Sequence, residues 1–165
     1  MTSAKNTKNA KNEATLKEPV EATAMLTADH EKVDALFTEF SKARSPEKKK
    51  GIVAQICEEL TVHAELEEEI FYPAFKKALS DTELEPEARV EHQTLKDLIA
   101  QLEDAEPDGE MYDARVNVLC EYVKHHVEEE QNEMFPKAKA SRKLDLFAIG
   151  AQMTERKKEL LMAYE

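Results

Sequence analysis

The sequence predicts an all-α fold, an antiparallel up-down-up-down four-helix bundle with an extra C-terminal helix. Only three glycines occur in 165 residues, and the 35% charged fraction is dominated by Glu and Lys, a composition suited to long helices. No segment alternates apolar and polar residues as a half-buried strand does. The two halves also repeat. His30 and His92 are 62 residues apart, and His63 and His126 are 63 apart, each of the latter with a Glu four positions on, Glu67 and Glu130. The surrounding text follows: HAELEEEIFYP from His63 aligns with HVEEEQNEMFP from His126.

Residues 1–19 show no apolar periodicity and read as a disordered leader, with one domain over 20–165. Helix one, from about Val20, carries Leu26, His30, Val33, Phe37 and Phe40 on one face, so a histidine interrupts an apolar stripe. Ser45 and Pro46 supply an N-cap and a first helical residue for helix two. Its stripe is Ile56, Leu60, His63, Glu67 and Ile70. Helix three starts between Asp81 and Pro86 and repeats helix one through Ala88, His92, Leu95, Ile99 and Leu102. Helix four follows Asp108-Gly109 and repeats helix two through Leu119, Val123, His126, Glu130 and Glu133, with Met134 matching Phe71. Pro73 and Pro136, lacking a backbone donor, are expected to kink or loosen the ends of helices two and four. A fifth amphipathic stretch, from about Leu144 to Tyr164, is expected to pack on the bundle or to form a homodimer contact.

A net charge of −12 argues against nucleic acid or an anionic membrane as partner. No apolar run approaches the length of a membrane span, and the first thirty residues lack a secretory signal, so the cytoplasm is the expected compartment. Cys57 and Cys120 are 63 residues apart, belong to the repeat, and read as small buried packing residues.

The chemistry lies in the repeat. His and Glu at i and i+4 share a helix face, so His63 with Glu67 and His126 with Glu130 each offer a nitrogen and an oxygen to one place. His30 lies 13 residues from Ala43 and His92 13 from Ala105, while His63 lies 17 from Pro46 and His126 17 from Gly109. In an antiparallel bundle the four histidines therefore meet at a common depth. The candidate metal ligands are His30, His63, Glu67, His92, His126 and Glu130. Nitrogen and carboxylate donors without thiolate suit iron, manganese or zinc. Two carboxylates leave two divalent ions short of negative charge, a deficit that an oxide, a hydroxide or an external ligand between the metals would meet.

His125 and Glu129 form a competing pair, but the repeat and the stripe favour His126. Tyr122 and Glu59 stand one turn earlier as further donor candidates, Tyr122 more plainly as a packing residue. The glutamates around the motif, Glu65, Glu68, Glu69, Glu128 and Glu129, read as a solvated face. A ferritin-type site would need Glu-x-x-His, which no histidine here satisfies. A phosphotransfer bundle would use one exposed histidine and leave the other three unexplained.

The ordered set His30, His63-x3-Glu67, His92, His126-x3-Glu130, with DHEKVDALF, EIFYP, EHQTLK and EEEQNEMFP, resembles the hemerythrin HHE cation-binding domain family over about residues 22–162. That resemblance implies a non-haem di-iron centre bridged by Glu67 and Glu130, with His30 and His63 on one iron and His92 and His126 on the other. The oxygen-carrying members have a further histidine where this chain has Lys96, and an HxxxxD pair where it has HxxxE. One iron thus loses a nitrogen donor, which argues against reversible oxygen carriage. It favours an open centre that binds or reacts with dioxygen, nitric oxide or peroxide in stress response or gas handling, with weak peroxidase-like or catalase-like turnover as its enzymatic form. The alternative is a non-enzymatic iron or oxygen sensor.

Overall fold

Helix boundaries follow from caps that the sequence supplies. In the computed structural model, which describes residues 19–165, Glu21 accepts from the Ala24 amide at 2.6 Å and opens α1, Ala22–Lys42. Ser45 accepts from the Lys48 amide at 3.2 Å and Pro46 starts α2, Pro46–Leu66, as expected. After a π turn, π1 (Glu67–Phe71), the rod continues as α3, Tyr72–Leu79. Next comes α4, Leu84–Glu103. Then α5, Glu110–Glu129, runs through π2 (Glu130–Met134) into α6, Phe135–Ala140. Asp145 accepts from the Ala148 amide at 3.0 Å and caps α7, Leu146–Met162. Residues 1–18 of the expected leader lie outside the described residues.

The four rods pack as the predicted antiparallel bundle, α1 on α2 and α4 on α5, and α7 lies against α1, α2 and π1. Among the described residues there is no strand, and no helix is long and apolar enough to cross a membrane. Pro73 and Pro136 do not end their helices. Each lacks the N–H for an i−4 bond, and the preceding residue bonds one position further back, Tyr72 N–H to Glu67 O and Phe135 N–H to Glu130 O. The extra residue in the turn rotates the inward stripe. Phe71, Tyr72 and Phe75 are buried instead of Ile70, and Met134 and Phe135 are buried while Glu133 faces solvent. Those two predicted stripe positions, Ile70 and Glu133, are corrected by the π turns.

The stripes of α1 and α4 are buried as expected. Two apolar clusters result. One gathers Val33, Phe37, Ile56, Leu60, Leu95, Ile99, Leu119 and Val123; the other gathers Leu26, Val62, Leu66, Phe71, Tyr72, Met134, Phe135 and Met153. Between them lies a buried polar layer. Cys57 is buried and Cys120 half-buried, both free, as packing residues would be. Burial and the nearby Glu103 push the Cys57 thiol up to about 12, so it stays protonated.

The fifth helix packs on the bundle through Ile149, Gly150 and Met153. Its close approach depends on Gly150, where an added Cβ would stand 2.1 Å from the Val20 carbonyl oxygen and 3.1 Å from the Ala22 nitrogen. Gly51, by contrast, has nothing within 4 Å of that position. Gly150→Ala is therefore expected to lower the unfolding free energy by about 1–3 kcal/mol through overpacking. Gly51→Ala should raise it by up to about 1 kcal/mol through helix propensity. Denaturant titration of both variants checks the contrast; equal effects would remove the close-packing account of α7.

Candidate metal centre

The polar layer is assembled by four helical rods, each contributing at a position fixed by its own stripe. His30 comes from α1, His63 and Glu67 from the α2–π1 rod, His92 from α4, and His126 and Glu130 from the α5–π2 rod, and all six are buried. Both glutamates are the first residues of the π turns, so the wider turn begins at the carboxylate. The imidazoles meet as pairs through their Nε2 atoms: His30 to His63 at 3.1 Å and His92 to His126 at 3.1 Å. Glu67 Oε1 lies 2.6 Å from His63 and 3.6 Å from His92, and Glu130 Oε1 lies 3.1 Å from His126 and 3.4 Å from His30. Each carboxylate oxygen thus faces one imidazole from each pair.

Behind the layer, polar side chains orient the rings. Asp29 Oδ2 stands 3.1 Å from His63 Nδ1, and Glu91 Oε1 stands 3.3 Å from His126 Nδ1. An ionised carboxylate can only accept, so both rings donate from Nδ1 and turn Nε2 inward. Burial raises the Asp29 pKa, but His63 and Lys157, whose Nζ is 2.7 Å away, outweigh it and hold the carboxyl below its ordinary value. Gln131 reaches His30 Nδ1 at 3.2 Å, and Glu68 lies 3.8 Å from His92 Nδ1, too far for a hydrogen bond.

This layer calls for positive charge. Both oxygens of Glu67 and Oε1 of Glu130 lack hydrogen-bond partners despite the nearby imidazoles, because the short contacts are poorly directed for hydrogen bonding. Burial alone would lower the His63 and His126 pKa values, yet Glu67 and Asp29 hold His63 up at about 10, and Glu130 and Glu91 hold His126 up at about 11. Burial and the facing Glu130 push Glu67 up to about 8, while, against burial, His126 and His30 hold Glu130 well below its ordinary value. Protons occupy places that a cation fits. Donor nitrogens at 3.1 Å suit adjacent ligands of one ion, since metal–nitrogen bonds of roughly 2.0–2.1 Å put neighbouring donors about 3.0–3.4 Å apart. The donors form two groups within 4.8 Å, His30 with His63, Glu67 and Glu130, and Glu67 with His92 and His126. Nitrogen and carboxylate donors, orphaned oxygens and orienting partners fit a metal centre.

Tyr72 was not anticipated. Its buried hydroxyl lies 3.0 Å from His92 Nε2, 3.2 Å from His126 Nε2 and 3.1 Å from Glu130 Oε2, three neighbours for a single proton. Burial, with Glu67 and Glu130 close by, pushes the phenol well above its ordinary value, so it keeps that proton. Position 135, its repeat equivalent, is Phe, and Phe135 stacks on His30 with centroids 6.0 Å apart. That break in the repeat was the available signal. Asp29 and Glu91 also had one, because each directly precedes a stripe histidine, in DHEKV and EHQTL.

Other candidates lie elsewhere. His125 is 63% exposed and faces Glu129 at 3.3 Å on the surface, while His126 points inward. Tyr122 is 45% exposed, and Glu59 pairs with Lys32. Of the glutamates expected on a solvated face, Glu68 is corrected to a half-buried partner of Lys96 at 2.8 Å, and Glu69 is clamped by Arg156 at 2.8 and 3.1 Å.

Comparison with known proteins gives a family and a fold. The family model of the hemerythrin HHE cation binding domain matches residues 21–138. The chain is 32% identical over 111 residues to a Nostoc sp. protein described as a DNA nickase, a match that covers 67% of this chain but 31% of that protein. Among solved structures it is similar to a hemerythrin HHE cation-binding domain-containing protein homologue from Mycobacterium kansasii. The TM-score is 0.73 at 24% identity, covering 86% of this chain and 87% of the other, which speaks for the fold.

Metal uptake should release protons. His63 and His126 hold theirs up to about 10 and 11, so at neutral pH an incoming cation must displace them, and apparent affinity should rise with pH through the neutral range and fall in acid. Zinc titrations by calorimetry in buffers of different ionisation enthalpy measure the release. Asp29→Asn, which removes the ionised acceptor behind His63, should weaken binding by roughly 10–100-fold. Uptake without proton release would contradict this account of the layer.

Proposed function

Because this chain belongs to the hemerythrin HHE cation-binding domain family, we propose that it holds two iron ions in the polar layer and uses them to bind or react with dioxygen, nitric oxide or peroxide. His30 and His63 would hold one ion and His92 and His126 the other, with Glu67 and Glu130 shared. The observation that carries this reading is the placement of each carboxylate oxygen against one imidazole of each pair. Bound iron would supply electrons and exchangeable coordination positions for a small ligand.

The chain's own residues prepare that chemistry. Asp29 and Glu91 keep the Nε2 lone pairs of His63 and His126 directed inward. Tyr72 holds a proton beside His92, His126 and Glu130, placed to donate to a reduced ligand. The apolar side chains flanking the layer give water few partners there. Lys96 pairs with Glu68 at 2.8 Å and brings no further donor to the layer.

A second reading, an iron or oxygen sensor, is favoured by one contact. Lys157 of α7 grips Asp29, which in turn holds His63, so occupancy of the layer would be felt by the fifth helix. DNA nicking is not proposed: the match spans under a third of the Nostoc protein, and a net charge of −12 repels a phosphate backbone.

Metal analysis after anaerobic iron loading, followed by visible absorption on air exposure, tests the proposal. Wild type and His125→Ala should retain about two equivalents of iron, and His126→Ala one or fewer. Retention of no more than one equivalent of any transition metal by wild type would sink the two-ion reading. Steady-state consumption of peroxide or nitric oxide would mark an enzyme; a change in melting temperature without turnover would mark a sensor.

A further inference from the structure

The four imidazoles also form one wall of a cavity that contains none of the carboxylate donors. It measures about 240 Å³, and its remaining walls include Val33, Leu60, Leu95, Ile99 and Val123. On each rod these residues lie on the side of the histidine opposite to Glu67, Glu130 and Tyr72: Leu60 and Val123 are three residues before His63 and His126, and Val33 and Leu95 three after His30 and His92. The histidine layer therefore has two unlike faces. One is ringed by acid and phenol, and the other opens on aliphatic side chains. Lys96, ion-paired with Glu68, stands at the edge where the cavity approaches the surface between α2 and α4.

Size and chemistry select the occupant. An apolar cavity of roughly 150 Å³ stays dry and admits benzene, so this larger one takes far more than a diatomic molecule. Its aliphatic walls give water few partners and penalise a charged guest. Its buried polar groups are the imidazoles, with Asp29 behind His63; Thr61, Glu65 and Lys96 also line it but are half-buried or exposed. We propose that the chamber binds a small uncharged organic molecule with an apolar body and one polar end, the polar end set against the histidine layer. The proposal deepens the metal-centre reading and rests on it for the role of the polar end; occupancy of the chamber itself needs no turnover.

Pentan-1-ol, with one hydroxyl on a five-carbon chain, is the probe, and propane-1,3-diol is the control of similar polarity without an apolar body. Methyl NMR of the iron(II)-loaded full chain under nitrogen, repeated with zinc(II), should show saturable shifts at Val33, Leu60, Leu95, Ile99 and Val123 with pentan-1-ol. Exposed Val90 and Val118 should not move. Val123→Phe and, separately, Ile99→Phe should raise the pentan-1-ol dissociation constant at least tenfold with metal content unchanged. Two variants guard against one misfolding. Absent saturation, equal shifts with the diol, or an unchanged dissociation constant in the filled variants would overturn the chamber. Metal content measured on the same samples decides the two-ion reading separately, because a chain that retains no metal can still bind the alcohol.

Discussion

A buried layer of negative oxygen and inward-facing nitrogen governs this fold. Glu67 is wholly buried and Glu130 nearly so, and an isolated ionised carboxylate at such depth would be strongly destabilising. His63 and His126 cannot relieve it as neutral rings. Where Asp29 and Glu91 accept from Nδ1–H, Nε2 of the neutral ring presents a lone pair to the oxygen it faces. Protons relieve the clash in part, which is why His63 and His126 hold theirs so far above the ordinary histidine range. A multivalent cation relieves it more fully, since one ion accepts several lone pairs at once where a proton is shared between two. The layer divides the core in two, and the packing on either side holds six donors in register.

The π turns show how backbone geometry serves that register. An α-helix that carries His63 and Glu67 on one face would next turn Ile70 inward, and the sequence stripe says so. Pro73 has no N–H to give the helix ladder, Tyr72 bonds back to Glu67, and the face rotates until Phe71 and Tyr72 point inward. The same happens at Glu130. Periodicity of 3.6 cannot reveal this, because a single residue of slip changes the face without changing the composition. Proline marked both places, and its effect was a change of register where a kink was expected.

Much of the centre was legible because it is written twice. His30, His63, Glu67, His92, His126 and Glu130 stand in matched positions, and the structure brings all six together. Their supports are written twice as well: Asp29 and Glu91 precede stripe histidines, and Glu68 and Gln131, five residues after His63 and His126, face the Nδ1 atoms of His92 and His30. Glu68 read as solvated charge because it flanks the stripe, and only the neighbouring helix shows what it faces. Lys157 had no repeat partner and no periodicity to mark it. Its role depends on how α7 lies across α1, which is set by the close approach at Gly150.

Where the repeat breaks, the two halves of the layer become unequal. Phe135 stacks on His30 and offers it no hydrogen bond, whereas Tyr72 presents a hydroxyl to His92, His126 and Glu130. Gln131 behind His30 is neutral and Glu68 behind His92 is acidic, and α7 braces only the Asp29 side. Two ions bound in such surroundings would differ in ligand basicity and in access to a proton. The half containing Tyr72 has the phenolic proton, and the half containing His30 has the stacked Phe135 ring in its place. A symmetric scaffold therefore yields an asymmetric centre through a handful of positions.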